Sequence, residues 1–538
     1  MTVETAIWVA VGLPFLGAIG VMVAGGVLKS PNLRDFGITT PISVATFIMV
    51  LQIVPSVLAG HTPEYVLVAD VLPGIDIAFE VEPLGLIYAL VASGLWIPTG
   101  LYGIGYMRGH DEKNQTRFFI CFPLAIMAAL GIAFSKNLFT LFLFYEILTF
   151  STYPLVTHYE NDEAKRAGRI YLGILVSTSV AFLLFAIVLT QHYAGTLDFV
   201  DGGILAGKVE GWALIILLAL FAFGTGKAAL MPFHRWLPAA MVAPTPVSAL
   251  LHAVAIVKAG VFTVLKIIVY IFGIDLLAAT DASVWLMYVA GFTLMASSIV
   301  ALTKDNLKAR LAYSTISQLS YIVLGGALAT AYAVKGAGMH IAMHAVGKIT
   351  LFFCAGAIYV AHHKKNISDM HGIGRKMPFT MAAFFLGSVC IIGLPPTGGS
   401  WSKWYLALGA IEADQLIFVV LLMISSLLSI GYLMPVVVKA FFYEPSPDDH
   451  HHHEDDGHDD DGHDDHGHDD HGDDEHGHDD HGHDDHAEVA IEGGFWANIS
   501  EAPMLCVVPL CVTAVGCIAM FFYAEWFYDL LALIGTLK

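Results

Sequence analysis

Apolar runs of about twenty residues recur from one end of this chain to the other, and each is long enough to cross the ~30 Å of hydrocarbon in a bilayer. Fourteen spans are expected, near residues 4–28, 36–60, 81–107, 116–134, 137–157, 168–193, 211–236, 246–272, 283–303, 309–332, 335–361, 379–411, 415–443 and 503–533. Hydrocarbon offers no water to backbone N–H and C=O groups, so each span must close its own hydrogen bonds as a helix. The pattern predicts an all-α polytopic membrane protein. Two spans carry helix breakers: Gly224, Gly226 and Pro232 in the seventh, and Pro395 and Pro396 in the twelfth.

Charge alternates with the same rhythm. Loops after odd-numbered spans carry Lys29 and Arg34; Arg108, Lys113 and Arg117; Lys165, Arg166 and Arg169; Arg235; Lys304, Lys308 and Arg310; and Lys364, Lys365, Arg375 and Lys376. Loops after even-numbered spans carry Glu64, Asp70, Asp76, Asp198, Asp201, Asp275, Asp281, Glu412 and Asp414 instead. The positive-inside rule then puts the odd loops in the cytoplasm and both termini outside a cytoplasmic (inner) membrane. The broken spans also resemble each other. The seventh reads G-T-G-K up to Lys227, and the twelfth reads PPTGGSWSK up to Lys403. An offset of five spans inverts the second copy across the membrane, and broken helices at matching positions of inverted repeats point to transport sites.

Composition supports the membrane reading: 56 % of the 538 residues are hydrophobic and 14 % charged, with a mean hydropathy of +0.68. The formal charge of −21 belongs to one stretch. Residues 448–486 hold nineteen acids and no Lys or Arg, and without them the charge is −2. The acidity therefore says nothing about the partners of the membrane body, and no nucleic-acid partner is expected. Cys121, Cys354, Cys390, Cys506, Cys511 and Cys517 lie in apolar stretches without metal-ligand spacing, and read as small buried hydrophobes. The first apolar run lacks a basic start and reaches spanning length, so no cleavable signal peptide is expected. No dinucleotide, P-loop or haem motif occurs, and no cofactor is expected.

Ionisable residues deep in spans are few, and each is expensive unless it faces protein, water or a counter-charge. Lys227 and Lys258 lie in the stretch 220–266, and Glu146 in FLFYEILTF. Lys227 reads as a snorkelling side chain or as a buried functional group; the apolar flanks and preceding glycines favour the second. Glu146 is either a helix–helix hydrogen bond or the counter-charge of Lys227. A lysine alternately close to and far from a carboxylate binds and releases a proton. His340, His344 and Lys348, spaced i, i+4, i+8, share one helix face with steps of about 6 Å, as a proton relay needs. A two-histidine metal site and a structural pair are the alternatives. His252 and Lys258, six residues apart, fall about 240° apart on a regular helix and should not share a face. His234 and His252 are candidates for a path entrance, and Lys403 for its far end.

Residues 448–486 also contain fourteen histidines in H-G-H-D-D-H variants. So polar a segment cannot bury a core and is expected to be disordered. His450, His451, His452 and His453 are weak metal-ligand candidates; buffering, or a linker without specific role, are the other readings.

With these residues in view, the chain resembles the antiporter-like proton-translocating subunits of respiratory complex I, membrane hydrogenases and Mrp-type Na⁺/H⁺ antiporters. The resemblance rests on FYEILTFSTYPL, KAALMPFHRWLP, APTPVSALLHAVAIVKAGVF, KDNLKARLAYSTISQLSYI, HIAMHAVGKITLFF and GLPPTGGSWSKWYL, across about residues 115–445. It implies a fourteen-span core with inverted five-helix repeats in spans 4–8 and 9–13. The chain then divides into N-terminal spans (1–114), a first repeat (115–272), a second repeat (283–445), the His/Asp loop (446–492) and a last span (493–538). It further implies a proton relay through Glu146, Lys227, Lys258, His340, His344, Lys348 and Lys403, with His252 at an eighth-helix polar position. Lysine at 403 and the GGSWSKWYL wording look most like the Mrp D subunit. The implied partners are other subunits of an antiporter or respiratory complex, H⁺ with Na⁺ or K⁺, and the lipid bilayer. The His/Asp loop departs from the family pattern.

Overall fold

A computed structural model of the chain describes residues 2–444 and 499–537. His450 to His453 and the whole His/Asp loop (446–492) lie outside the described residues. In chain order the major helices are α1 (Val3–Val27), α2 (Leu33–Leu58), α3 (Pro83–Gly109), α4 (Gln115–Ala133), α5 (Leu138–Val156), α6 (Asp162–Ala194), α7 (Gly211–Gly224), α8 (Thr245–Phe272), α9 (Val284–Thr303), α10 (Leu307–Ala327), α11 (Ala331–His362), α12 (Pro378–Ile392), α13 (Gly399–Glu412), α14 (Leu416–Phe442) and α15 (Met504–Phe522). Eleven of them are long and apolar enough to cross a membrane. The seventh and twelfth spans are broken at the expected glycines and prolines, into a short apolar helix, α7, followed by irregular turns, and a pair of arms, α12 and α13. The tenth, α10, has the length but carries Ser314, Thr315, Ser317, Gln318 and Ser320 through its middle. Its polarity has the same origin as the breaks, because all three line the interior described below.

One element lies outside the helical pattern. Between α2 and α3, strands β1 (Glu64–Leu72) and β2 (Ile75–Glu80) form an antiparallel hairpin, with Glu64 opposite Glu80 and Leu72 opposite Ile75. The alternating, β-branched sequence YVLVADVLPGIDIAF fits it. Gly74 takes the left-handed conformation in its turn, at φ +74°.

Side-chain burial separates two kinds of helix. In α8 and α11 every residue of the most apolar window is buried, against 28 % in α2. The outer helices instead expose large apolar groups such as Met423, Leu427, Phe442, Met504 and Val512. Such a surface suits lipid, where exposed apolar side chains cost nothing. α11 is the axis. It packs against α3, α8, α10, α12, α13 and α15, so its polar groups between Lys335 and Thr350 are enclosed by protein.

Wide turns occur in the outer helices α1, α2 and α6 as well, but the breaks lie in this interior, where protein can re-satisfy freed polar groups. α7 stops at Gly224, Gly226–Ala228 makes a single tight turn, and Ala229 follows at φ +55°. α12 stops at Ile392, Gly393 turns the chain at φ +88°, and α13 starts at Gly399. α8 carries a wide turn over Leu250–Val254, closed by the Ala255 N–H onto Leu250 O five residues back, at 2.9 Å. Gly260 of α8 touches the broken turn of α7: a Cβ there would lie 2.2 Å from the carbonyl carbon of Lys227.

Candidate functional site

Lys227 occupies the tight turn after α7 and is fully buried, so it does not snorkel. Its ammonium donates to Tyr145 O at 2.9 Å and to Thr149 Oγ1 at 2.6 Å, and lies 3.1 Å from the centre of the Tyr145 ring. The Tyr145 hydroxyl accepts from the Lys227 N–H at 3.1 Å. The expected partner on α5 was Glu146. The structure puts its neighbour Tyr145 there instead, and forms no ion pair between Glu146 and Lys227. One residue along a helix is a turn of about 100°. Glu146 makes no contact with the ammonium but lies near enough for its charge to act on it, and its Oε1 is buried without a hydrogen-bond partner.

Two residues before Gly260, Lys258 points from α8 to α11, where its ammonium meets His344 Nδ1 at 2.5 Å. The His344 ring stacks on His340, with centroids 5.7 Å apart and planes 16° apart. His340 Nδ1 meets Ser402 Oγ on α13 at 2.8 Å. The next residue, Lys403, donates to Ile391 O and Ile392 O at 2.9 Å and to Ser426 Oγ at 3.1 Å. These carbonyls are freed by the break of α12. Tyr321 of α10 joins the two groups, stacking on His340 at 5.5 Å and lying 4.7 Å from the Lys403 ammonium. Lys258, His344, His340 and Ser402 thus form one line of contacts across α8, α11 and α13.

Lys348 leaves that line. Its ammonium turns to α10, donating to Ser314 Oγ at 2.6 Å and Leu311 O at 3.3 Å, and Ser314 meets the Tyr432 hydroxyl at 2.9 Å. His252 packs its ring 4.9 Å from that of Phe352 on α11. Phe352 is eight residues beyond His344, so His252 and Lys258 both reach α11, contrary to the regular-helix arithmetic. The wide turn between Leu250 and Val254 changes the angle per residue and explains the difference. His234 is half-buried in the segment between α7 and α8 and is not part of the line.

Buried polar atoms without a protein partner cost about 1–3 kcal/mol each. Here they include both ring nitrogens of His252, the Nε2 atoms of His340 and His344, both side-chain ends of Gln318, and Glu146 Oε1. Their concentration on α8, α10 and α11 marks an interior kept polar against the cost. Sequence reading passed over Tyr145, Thr149, Tyr321, Ser402, Ser314 and Gln318. All are uncharged, and only Tyr145 beside Glu146 and Ser402 beside Lys403 had a charged neighbour in sequence to set them apart. It also passed over Lys266, whose place eight residues after Lys258 was the available signal. Among the described residues no group of three His, Cys, Asp or Glu side chains could hold a metal.

Residues 135–429 match the family described as NADH:quinone oxidoreductase/Mrp antiporter, TM. The chain is 34 % identical over 374 residues to NADH-quinone oxidoreductase subunit N of Desulforudis audaxviator (strain MP104C), covering 68 % of this chain and 73 % of that one. It is 31 % identical over 348 residues to hydrogenase-4 component B of Escherichia coli (strain K12), covering 61 % and 50 %. With Na(+)/H(+) antiporter subunit A1 of Staphylococcus aureus it shares 29 % over 450 residues, covering 80 % and 54 %. The chain thus spans about half the length of the last two relatives. The fold of a chain in the Mrp complex from Dietzia sp. DQ12-45-1b superposes with a TM-score of 0.80 at 21 % identity, over 99 % of this chain and 97 % of that one. Together these define a multi-pass helical membrane protein. The chain belongs to the NADH:quinone oxidoreductase/Mrp antiporter transmembrane family.

Proposed function

We propose that the chain is a proton-conducting subunit of a multisubunit Na⁺(K⁺)/H⁺ antiporter in the cytoplasmic membrane, of the Mrp type and most like its D subunit. The observation that carries this is the buried line from Lys258 through His344 and His340 to Ser402, lying between two broken helices that end in Lys227 and Lys403. Lys227 loads the first half-channel and Glu146 sets its proton affinity. Lys258 and the histidines carry the proton sideways, and Lys403 receives it. Glu146 acts by a change of geometry, since Tyr145 holds the ammonium in the present one. The five-part division of the chain, with repeats at 115–272 and 283–445, gives each half-channel one broken helix. The termini lie outside and the His/Asp loop in the cytoplasm.

A second reading has support in the 34 % identity to an NADH-quinone oxidoreductase subunit. There the same path serves a complex I-type or hydrogenase complex, driven by electron transfer on other chains. Dependence of proton flux on Na⁺ or K⁺ distinguishes the two.

The test is proton flux in vesicles containing the assembled complex. Lys227→Ala should lower cation-dependent flux by roughly 10²-fold, the scale of losing one positioned proton-transfer group, and Glu146→Ala should shift its pH dependence. Full exchange in both variants contradicts the mechanism. Deleting residues 448–486 should leave flux within about twofold of the intact chain, because none of the proposed relay residues lies in that segment. A metal-handling protein built on that loop would instead lose its function.

A further inference from the structure

Beside the hairpin lies a cavity of about 430 Å³ that the relay does not use. Its floor is a buried ion pair. Lys266 of α8 holds its ammonium 2.8 Å from Glu82 Oε1 and donates to Ser135 O at 2.8 Å, with the Phe199 ring 4.6 Å below. Lys266 is fully buried and Glu82 is 6 % exposed. Four residues on, Tyr270 lines the same cavity. Its side chain is 4 % exposed, and its hydroxyl has no hydrogen-bond partner. Glu80, Asp198 and Asp201 also line the cavity, while the other lysine at its wall, Lys136, is paired with Glu64. Four carboxylates thus line a cavity with two ammonium groups, one paired with Glu82 and the other with Glu64. The crowding is felt at Glu80 on β2. Burial holds its carboxyl above the usual range, the Thr62 hydrogen bond opposes this, and the charge of Glu82 adds to it.

An ammonium bound by a carboxylate, a backbone carbonyl and an aromatic face occupies a place made for a monovalent cation. A partially dehydrated alkali ion takes the same oxygen ligands. We propose that this cavity floor is an alkali-cation site formed by Glu82, the Ser135 carbonyl and the Tyr270 hydroxyl, and that the Lys266 ammonium is its tethered competitor. An ion that enters takes the oxygens the ammonium holds, so site occupancy and the position of Lys266 are coupled. Lys266 stands two helical turns from Lys258, which gives the exchanged cation an address on the same helix as the relay. This deepens the antiporter reading and rests on it for its physiological sense, but it is tested by binding alone.

The experiment is equilibrium binding of ²²Na⁺ to the full chain in nanodiscs, with choline chloride holding ionic strength and a thermal melt confirming each variant folded. The intact chain should bind weakly and saturably, and Lys266→Met should bind roughly tenfold more tightly, because the competitor is gone. Lys266→Arg keeps a cation in place and should show no gain. Adding Glu82→Gln to Lys266→Met should abolish the gain. Equal Na⁺ affinity in the intact chain and Lys266→Met overturns the proposal, as does a gain that survives Glu82→Gln or appears equally in Lys266→Arg. If Lys266→Met does not fold, Tyr270→Phe in the otherwise intact chain should weaken Na⁺ binding, and unchanged binding overturns the proposal. Lys227→Ala should bind Na⁺ as the intact chain does. If its proton flux also stays intact, the relay reading fails while the cation site stands.

Discussion

Replacing Lys258 with methionine should reduce proton flux to roughly a hundredth of its original value while the chain stays folded. Lys258 is where α8 hands over to α11, through the 2.5 Å contact of its ammonium with His344 Nδ1. Methionine fills a similar volume and removes the ammonium, so the line is cut without a cavity. Exchanging a buried charge for an apolar side chain is often neutral or stabilising. A thermal melt should therefore not fall, and flux and stability should part company. Adding His344→Ala should lower flux little further, because two residues that act through one contact are not additive. Flux above half of the original in Lys258→Met would show that protons bypass α8.

Asp35→Ala should have the opposite signature, with a loss of stability of about 3–5 kcal/mol. Asp35, near the start of α2, is fully buried. It pairs with Arg34 at 2.5 Å and with Arg108 of α3 at 2.7 Å, and Arg34 also reaches Gln115 of α4 at 2.9 Å. One carboxylate therefore holds two guanidinium groups and ties three helices. Truncating it leaves two cations facing each other at the end of the bundle, which is far worse than losing the whole cluster. The check is thermal unfolding of the purified chain, where Asp35→Ala should melt well below the original. An unchanged melting temperature would mean that the guanidinium groups find water without cost.

Much of this was legible in the sequence, and the exceptions share a cause. The spans could be read because hydrocarbon forces length and apolarity on any helix that crosses it. The two breaks could be read because proline and glycine mark them. Lys227, Lys258, His340, His344 and Lys403 stood out because charge in a span is rare. What could not be read was direction. Nothing in FYEILTF says that Tyr145 rather than Glu146 receives the Lys227 ammonium, since both face the bundle interior within one turn. Nothing in PVSALLHAVAIVK announces the wide turn that brings His252 and Lys258 to one neighbour. The i, i+4, i+8 spacing put Lys348 in the relay line, yet the long lysine side chain reaches Ser314 on α10. Uncharged members such as Ser402 and Tyr321 acquire meaning only when α13 and α10 are placed beside α11. Arg34 looked like a loop cation and is in fact buried, because Gln115 and Thr116 of α4 join its sequence neighbour Asp35 around it only when the helices pack.

The central claim is that protons pass along the line from Lys258 through His344 and His340 toward Lys403, with Lys348 anchored beside it. The direct measurement is proton flux in vesicles carrying His340→Ala and, separately, Ser314→Ala. His340→Ala removes both the stack on His344 and the contact with Ser402, so flux should fall by roughly 10²-fold. Ser314→Ala removes one hydrogen bond of the Lys348 branch and leaves the line itself intact, so flux should fall by no more than about fivefold, the scale of one hydrogen bond. Near-normal flux in His340→Ala together with a block in Ser314→Ala would place the path through Lys348 and α10, and contradict the account.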